Sequence, residues 1–168
     1  IILSDNGDLL GFTSLMIEKQ KGKRINESPI MFDVPERVGR SGKKISANFL
    51  WDNSAYVLGV SDRDETEPAY SIDRFNSFKE LNLKLLSAAK CKSAKSVTEF
   101  LNNHHPDSFR KNLQFQDHSN LLLSGNLVFK VINQKGYVHD DPEIKEIWTS
   151  YLRNNTDAPK GQCLVTGE

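Results

Sequence analysis

The sequence has little of what would declare a chemistry at once. It holds two cysteines, Cys91 and Cys163, far apart and in unrelated contexts. A pair placed like that suits two reduced cytoplasmic thiols better than the disulfide framework of a small secreted domain. No apolar run approaches the roughly 20 residues that span a bilayer, and no signal-peptide pattern opens the chain. A cytoplasmic protein with no membrane partner is therefore expected. There is no HExxH, no paired CxxC and no GxSxG, and Ser124-Gly125 has the form of a turn before a strand. His104, His105, His118 and His139, with Asp107, Asp117 and Asp140 nearby, show no recognised ligand spacing, so neither metal nor cofactor is expected. Net charge is also missing. The 22 basic and 22 acidic side chains cancel, and no global field draws nucleic acid to the chain.

What is present is an ordinary globular composition. The 168 residues suit one domain with a real hydrophobic core, and 26% charged with 38% hydrophobic residues fits a soluble fold. The chain starts at Ile1 inside an apolar run and stops at CLVTGE with no capping element. It is expected to be a single domain, 1–168, cut from a longer polypeptide, with 162–168 beginning the next segment.

The pattern predicts strands first. Ile1–Leu3 and Leu9–Ile17 flank Asp5-Asn6-Gly7-Asp8, a strong hairpin turn. Glu18 to Asn26 is lysine-rich and predicts a loop or hairpin tip, and Pro29–Val34 a short strand. Phe49 to Gly59, FLWDNSAYVLG, predicts a second hairpin or a tight strand corner, since aromatic and β-branched runs flank Asp52-Asn53-Ser54. Ser61 to Pro68 is an acidic linker. From Ser71, a plausible cap, the period becomes helical, with Phe75, Phe78, Leu81 or Asn82, Leu85 and Ala89 on one face. A second helix starts near Ser93 or Ser96, where Ser96 with Glu99 resembles a capping box, and ends near His104-His105-Pro106. Val97, Phe100 and Leu101 are its inner face. Asp107 to Asn120 has no assignable pattern. Leu127–Ile132 predicts a strand, and Asp141-Pro142 opens a third helix whose inner face is Ile144, Ile147 or Trp148, and Tyr151 or Leu152. Asn154 to Gly161 then forms a loop and Cys163–Val165 a last strand. The fold class is α+β: a mainly antiparallel sheet of short strands and hairpins with about three helices packed against it.

Charge is neutral overall but uneven along the chain. Between residues 18 and 44, eight Lys or Arg face four acids, whereas 62–67 hold four acids and one arginine. In RVGRSGKK, the cations Arg37, Arg40, Lys43 and Lys44 are interleaved with small residues that let backbone approach a phosphate. The same residues also suit a solvated turn, and GRSGKK lacks the spacing of a phosphate-binding P-loop. Asn48 and Asn53 carry amides able to read base edges, although a turn asparagine more often satisfies its own backbone. Trp51 and Tyr56 are able to stack on bases but fit the core equally well.

Several stretches, in order, carry a resemblance: LSDNGDLLGF, the lysine-rich link, DVPERV, RSGKK leading to NFLWDNSAYVLG, the Phe75/Phe78 helix, EFL, GNLVFKV, Ile147-Trp148 and CLVTGE. Together they resemble the large subunit of the type I-C CRISPR surveillance complex (Cascade) across nearly the whole chain. Members are longer, so the resemblance implies an N-terminal portion. It also implies a non-catalytic module that detects the protospacer-adjacent motif (PAM) on double-stranded target DNA and helps open it. Guide RNA and other subunits of the complex would be partners, and the full complex would recruit a separate helicase–nuclease. On that reading Arg37, Arg40, Lys43 and Lys44 are assigned to phosphates, helped by Lys21, Lys23 and Arg24. Asn48 and Asn53 are then candidates to read or wedge the PAM. A scaffold domain docking on other subunits is the alternative, and a metal-dependent nuclease the third.

Overall fold

The computed structural model describes residues 1–21, 24–37, 45–67, 69–113 and 118–155, with the side chains of 19, 21 and 24–27 outside that description. It is α+β, with small sheets of short strands, mainly antiparallel, and, among the described residues, three long helices out of five. Strands β1 (Ile2–Leu3) and β2 (Leu9–Gly11) form the expected antiparallel hairpin. Its turn includes Gly7 at φ +85°, where a Cβ would lie 2.6 Å from Glu99 and from the Ser96 carbonyl. Only glycine allows so close an approach to the helix beneath it.

The chain after β2 departs from expectation. Residues 12–15 form no strand, and the lysine-rich stretch is itself a ribbon, β3 (Met16–Lys21) paired antiparallel with β4 (Arg24–Pro29). Pairing gives these polar residues ladder partners, which overrides their weak strand propensity. The strand expected over 29–34 is absent beyond Pro29.

The stretch 49–59 is not a hairpin. Strand β5 (Trp51–Asn53) runs straight into a short helix, α1 (Ser54–Val57), and β5 pairs with β6 (Asn126–Val128), far away in sequence. Asn53 Oδ1 accepts from Ala55 N at 3.1 Å, so the polar triplet is a helix cap rather than a hairpin tip. Ala55 to Leu58 are buried throughout, which leaves no polar alternation to reveal either period.

The acidic linker is also folded. Residues Asp62–Glu65 form a 3-10 turn, and Asp64, 8% exposed, pairs with Arg110 at 2.9 Å. Helix α2 (Tyr70–Leu86) begins one residue before Ser71, whose side chain contacts Asp64 and the Gly59 carbonyl instead of capping. Its buried face includes Phe75, Phe78, Asn82 and Leu85, as the periodicity predicts. Helix α3 (Lys92–Asn103) starts earlier than expected; Ser96 lies inside it, 2.9 Å from the Asp5 carbonyl. The unassigned stretch opens with α4 (Pro106–Lys111), which supplies Arg110. The strand expected over 127–132 is split at the buried Phe129: β6 joins β5, while β7 (Lys130–Val131) runs parallel to β1. Helix α5 (Pro142–Asn155) is capped by Asp141, whose Oδ1 accepts from Glu143 N at 2.9 Å. Ile144 and Trp148 are buried on its inner face. Asn154 and Asn155 belong to α5; the rest of the expected loop and the Cys163–Val165 strand lie outside the described residues.

Elements meet at residues 48–53. Leu50 has φ +60°, a left-handed angle that costs a non-glycine residue about 1–2 kcal/mol. Asn82, fully buried in α2, holds it there. Its Oδ1 accepts from Leu50 N at 2.8 Å, while its Nδ2 donates to the Asn48 and Phe78 carbonyls at 3.3 and 2.8 Å. Asp52 adds two bonds, accepting from Asn48 N and Asn53 N at 3.0 and 2.9 Å. Phe49 then stacks on Trp148 of α5 with ring centres 5.1 Å apart.

Replacing Asn82 with Ala orphans a buried N–H and a carbonyl. The variant should lose about 2–3 kcal/mol in urea unfolding; a loss under about 0.5 kcal/mol would mean that the clamp is dispensable.

Candidate nucleic-acid interface

The basic stretch 36–46 is mounted on β5 at both ends. Trp51 Nε1 donates to the Pro35 carbonyl at 2.8 Å on the entering side. On the leaving side, Asn48 N donates to Asp52. A three-residue strand thus holds the described residues on both flanks of the basic stretch, and β5 is itself held by β6 and by the Asn82 clamp. Arg37 is exposed beside the first anchor. Arg40, Lys43 and Lys44 lie outside the described residues, as does Lys23. Lys21 and Arg24 are cross-strand partners in the β3–β4 ribbon rather than members of a loop.

The two asparagines have structural work. Asn48 is 2% exposed, its backbone N and carbonyl are both bonded, and its Oδ1 has no hydrogen-bond partner among the described residues. A buried amide presents no edge to a base in this conformation. Asn53 caps α1 and pairs with Asn126 across the strands, as a turn asparagine does on the simpler reading.

Histidines are equally structural where they are buried. His104 Nε2 lies 2.9 Å from the Leu58 carbonyl, and its ring is surrounded by Phe75, Phe100 and Phe109. His139, 3% exposed, stacks on Tyr137. Burial is the main cause that holds both imidazoles below the ordinary value of 6.5. His105 and His118 are exposed.

One grouping escaped sequence reasoning, because its members lie some fifty residues apart. Potential ligand atoms of Cys91, Asp141 and Glu143 all lie within 4.8 Å of one another. Both Glu143 oxygens, however, accept backbone N–H bonds, from Lys90 and Cys91, at 2.9 Å each. Burial, with the charge of Asp141 also contributing, pushes the Cys91 thiol up to about 11, so it stays protonated at neutral pH. The trio ties the first turn of α5 to the start of α3.

A different surface is apolar. A groove of about 540 Å³ lies between Phe12–Met16, Pro29–Val34, Trp51 and 121–128. Met31, beside it in sequence, is 94% exposed, and Ile30 and Leu121 on its walls are also exposed. Among the described residues no helix is long and apolar enough to cross a membrane.

The histidines predict an acid sensitivity. Their folded-state pKa values lie below the unfolded value, so the unfolded chain binds more protons and stability falls as pH drops through about 6.5. Glu143, held low mainly by its bond from Lys90 N, adds a loss only at lower pH, below the ordinary carboxylate value of 4.5. Melting temperature should therefore decline between about pH 7 and pH 5, with His104→Gln flattening the decline. An unchanged slope in that variant would contradict the assignment.

No curated protein matches the chain. The family model described as CRISPR-associated protein (Cas_Csd1) matches residues 1–168, the whole of it. The chain belongs to the CRISPR-associated Csd1 family.

Proposed function

We propose that the chain is a non-catalytic DNA-recognition module in the large subunit of a type I-C RNA-guided complex, acting in the cytoplasm. On this reading it detects the PAM on duplex DNA and helps open it, alongside guide RNA, the other subunits and a recruited helicase–nuclease. The observation that carries the reading is the double anchoring of the basic stretch on β5. A loop held at both ends loses less conformational freedom when it meets a ligand. Phosphate contact also requires only local cations, so zero net charge is no obstacle. Arg37, Arg40, Lys43 and Lys44 are the contacting residues in this account, and Asn48 and Asn53 take structural roles.

A second reading rests on the apolar groove, with exposed Ile30 and Leu121 on its walls. Contiguous exposed apolar surface marks protein contact, here with another subunit of the complex. The two readings are compatible, and one protein is able to serve both. The nuclease reading gains least, since the one metal-like grouping among the described residues is engaged in backbone capping.

The test uses full-length protein in its assembled complex and a guide-matched duplex with a randomised flanking motif. Arg40→Glu with Lys43→Glu should weaken binding and lower the salt slope by about 2. Asn53→Ala should cost about 1 kcal/mol of stability and leave motif preference unchanged. Intact assembly with unchanged affinity and slope in the double variant would remove the DNA reading.

A further inference from the structure

Another cavity lies where the β1–β2 turn meets the junction of α3 with α4. It measures about 480 Å³, and its lining includes Asp8, Phe100, His104, Phe109 and Asn112. The elements around it are fixed before anything enters. Gly7 sits so close to α3 that a Cβ would lie 2.6 Å from the Ser96 carbonyl, and Ser96 Oγ donates to the Asp5 carbonyl at 2.9 Å. Arg110 donates to Asp64 and to the Gly59 carbonyl, both at 2.9 Å, which secures α4. A site held in this way loses little conformational freedom on binding.

The polar groups of the lining are mostly acceptors. His104 Nε2 lies 2.9 Å from the Leu58 carbonyl, which accepts and never donates, so Nε2 carries the proton. Burial keeps the imidazole neutral at neutral pH, which leaves Nδ1 as an acceptor. Asn112 Nδ2 donates to the Ser108 carbonyl at 2.9 Å, which leaves Oδ1, also an acceptor. Asp8 is a carboxylate, and one of its oxygens accepts from the Ser4 hydroxyl at 2.9 Å. Among the described residues neither lysine nor arginine lines the cavity; Lys79 reaches His104 through its charge but is not part of the lining. His105, which also lines it, is exposed.

A wall rich in acceptors, with a carboxylate among them, repels a phosphate chain and suits a cationic donor. The aromatic lining narrows the choice further. Phe100 and Phe109 are 3% and 8% exposed. A guanidinium is planar, weakly hydrated and stacks on rings, whereas an ammonium is a compact and strongly hydrated charge. Five N–H donors in a fixed fork also serve several acceptors at once. We propose that this cavity receives an arginine side chain presented by a protein partner, with Asp8 as its counter-ion and His104 and Asn112 as further acceptors. Such a contact is independent of DNA recognition and anchors the domain on another protein.

The experiment uses the full-length protein and blocked peptides of the form glycine–X–glycine, with X as arginine, citrulline or lysine, followed by saturation-transfer difference NMR. Citrulline keeps the shape of arginine without its charge. The arginine peptide should bind, with citrulline weaker by about fivefold or more and lysine between them. Asp8→Asn keeps an acceptor for Ser4 and should weaken arginine binding by about fivefold or more at unchanged melting temperature. Asn112→Ala, at the exposed end of α4, should weaken it by about threefold. In the assembled complex, a photo-crosslinker placed at Asn103, another lining residue, should capture a protein segment that contains arginine. The proposal is overturned by no binding of the arginine peptide, by equal binding of arginine and citrulline, or by unaffected binding in both variants. Capture at Asn103 of nucleic acid, or of a segment without arginine, overturns it as well.

Discussion

The contact on which the rest of this structure depends is the amide of Asn82 against the backbone of residues 48–50. That backbone is irregular and buried, with Leu50 in a left-handed conformation, so it has no ladder of its own. Buried N–H and carbonyl groups without partners are costly, and one helix side chain supplies both partners here. Asp52 and Asn53 complete the set from within the segment. Once the corner is satisfied, Phe49 is able to stack on Trp148, β5 to pair with β6, and Trp51 to hold Pro35. Four distant parts of the chain therefore meet through one polar side chain in an apolar core.

Much of the fold was legible in sequence where the signal is local. The inner face of α2, the start of α5 at Asp141-Pro142 and the hairpin around Gly7 follow from helical period, capping chemistry and turn chemistry. Signals failed where partners are remote. Asp52-Asn53-Ser54 carries the chemistry of a turn and of a helix cap alike, and continuous burial after it erased the period that separates the two. The acidic stretch 61–67 resembles a linker until Arg110, 46 residues away, is seen bonded to Asp64. Asn82 was visible as an inner-face residue, but its work depends on Leu50, 32 residues earlier.

The candidate site divides along the same line. Cations are visible in composition, so Arg37 and its neighbours stand out from the sequence. What holds them is not, because the anchors are a tryptophan and an aspartate of an apolar-looking strand. Membership of the CRISPR-associated Csd1 family supplies the setting of a CRISPR complex. Within it, the proposed division of labour is a rigid corner that fixes the flanks of the basic stretch.

Hydrogen–deuterium exchange on the assembled complex, with and without guide-matched duplex, tests that division most directly. The account predicts slow exchange of the Leu50 amide in both states, and protection gained on DNA binding in residues 36–46. Protection confined to residues 48–54, with the basic stretch unaffected, would contradict it.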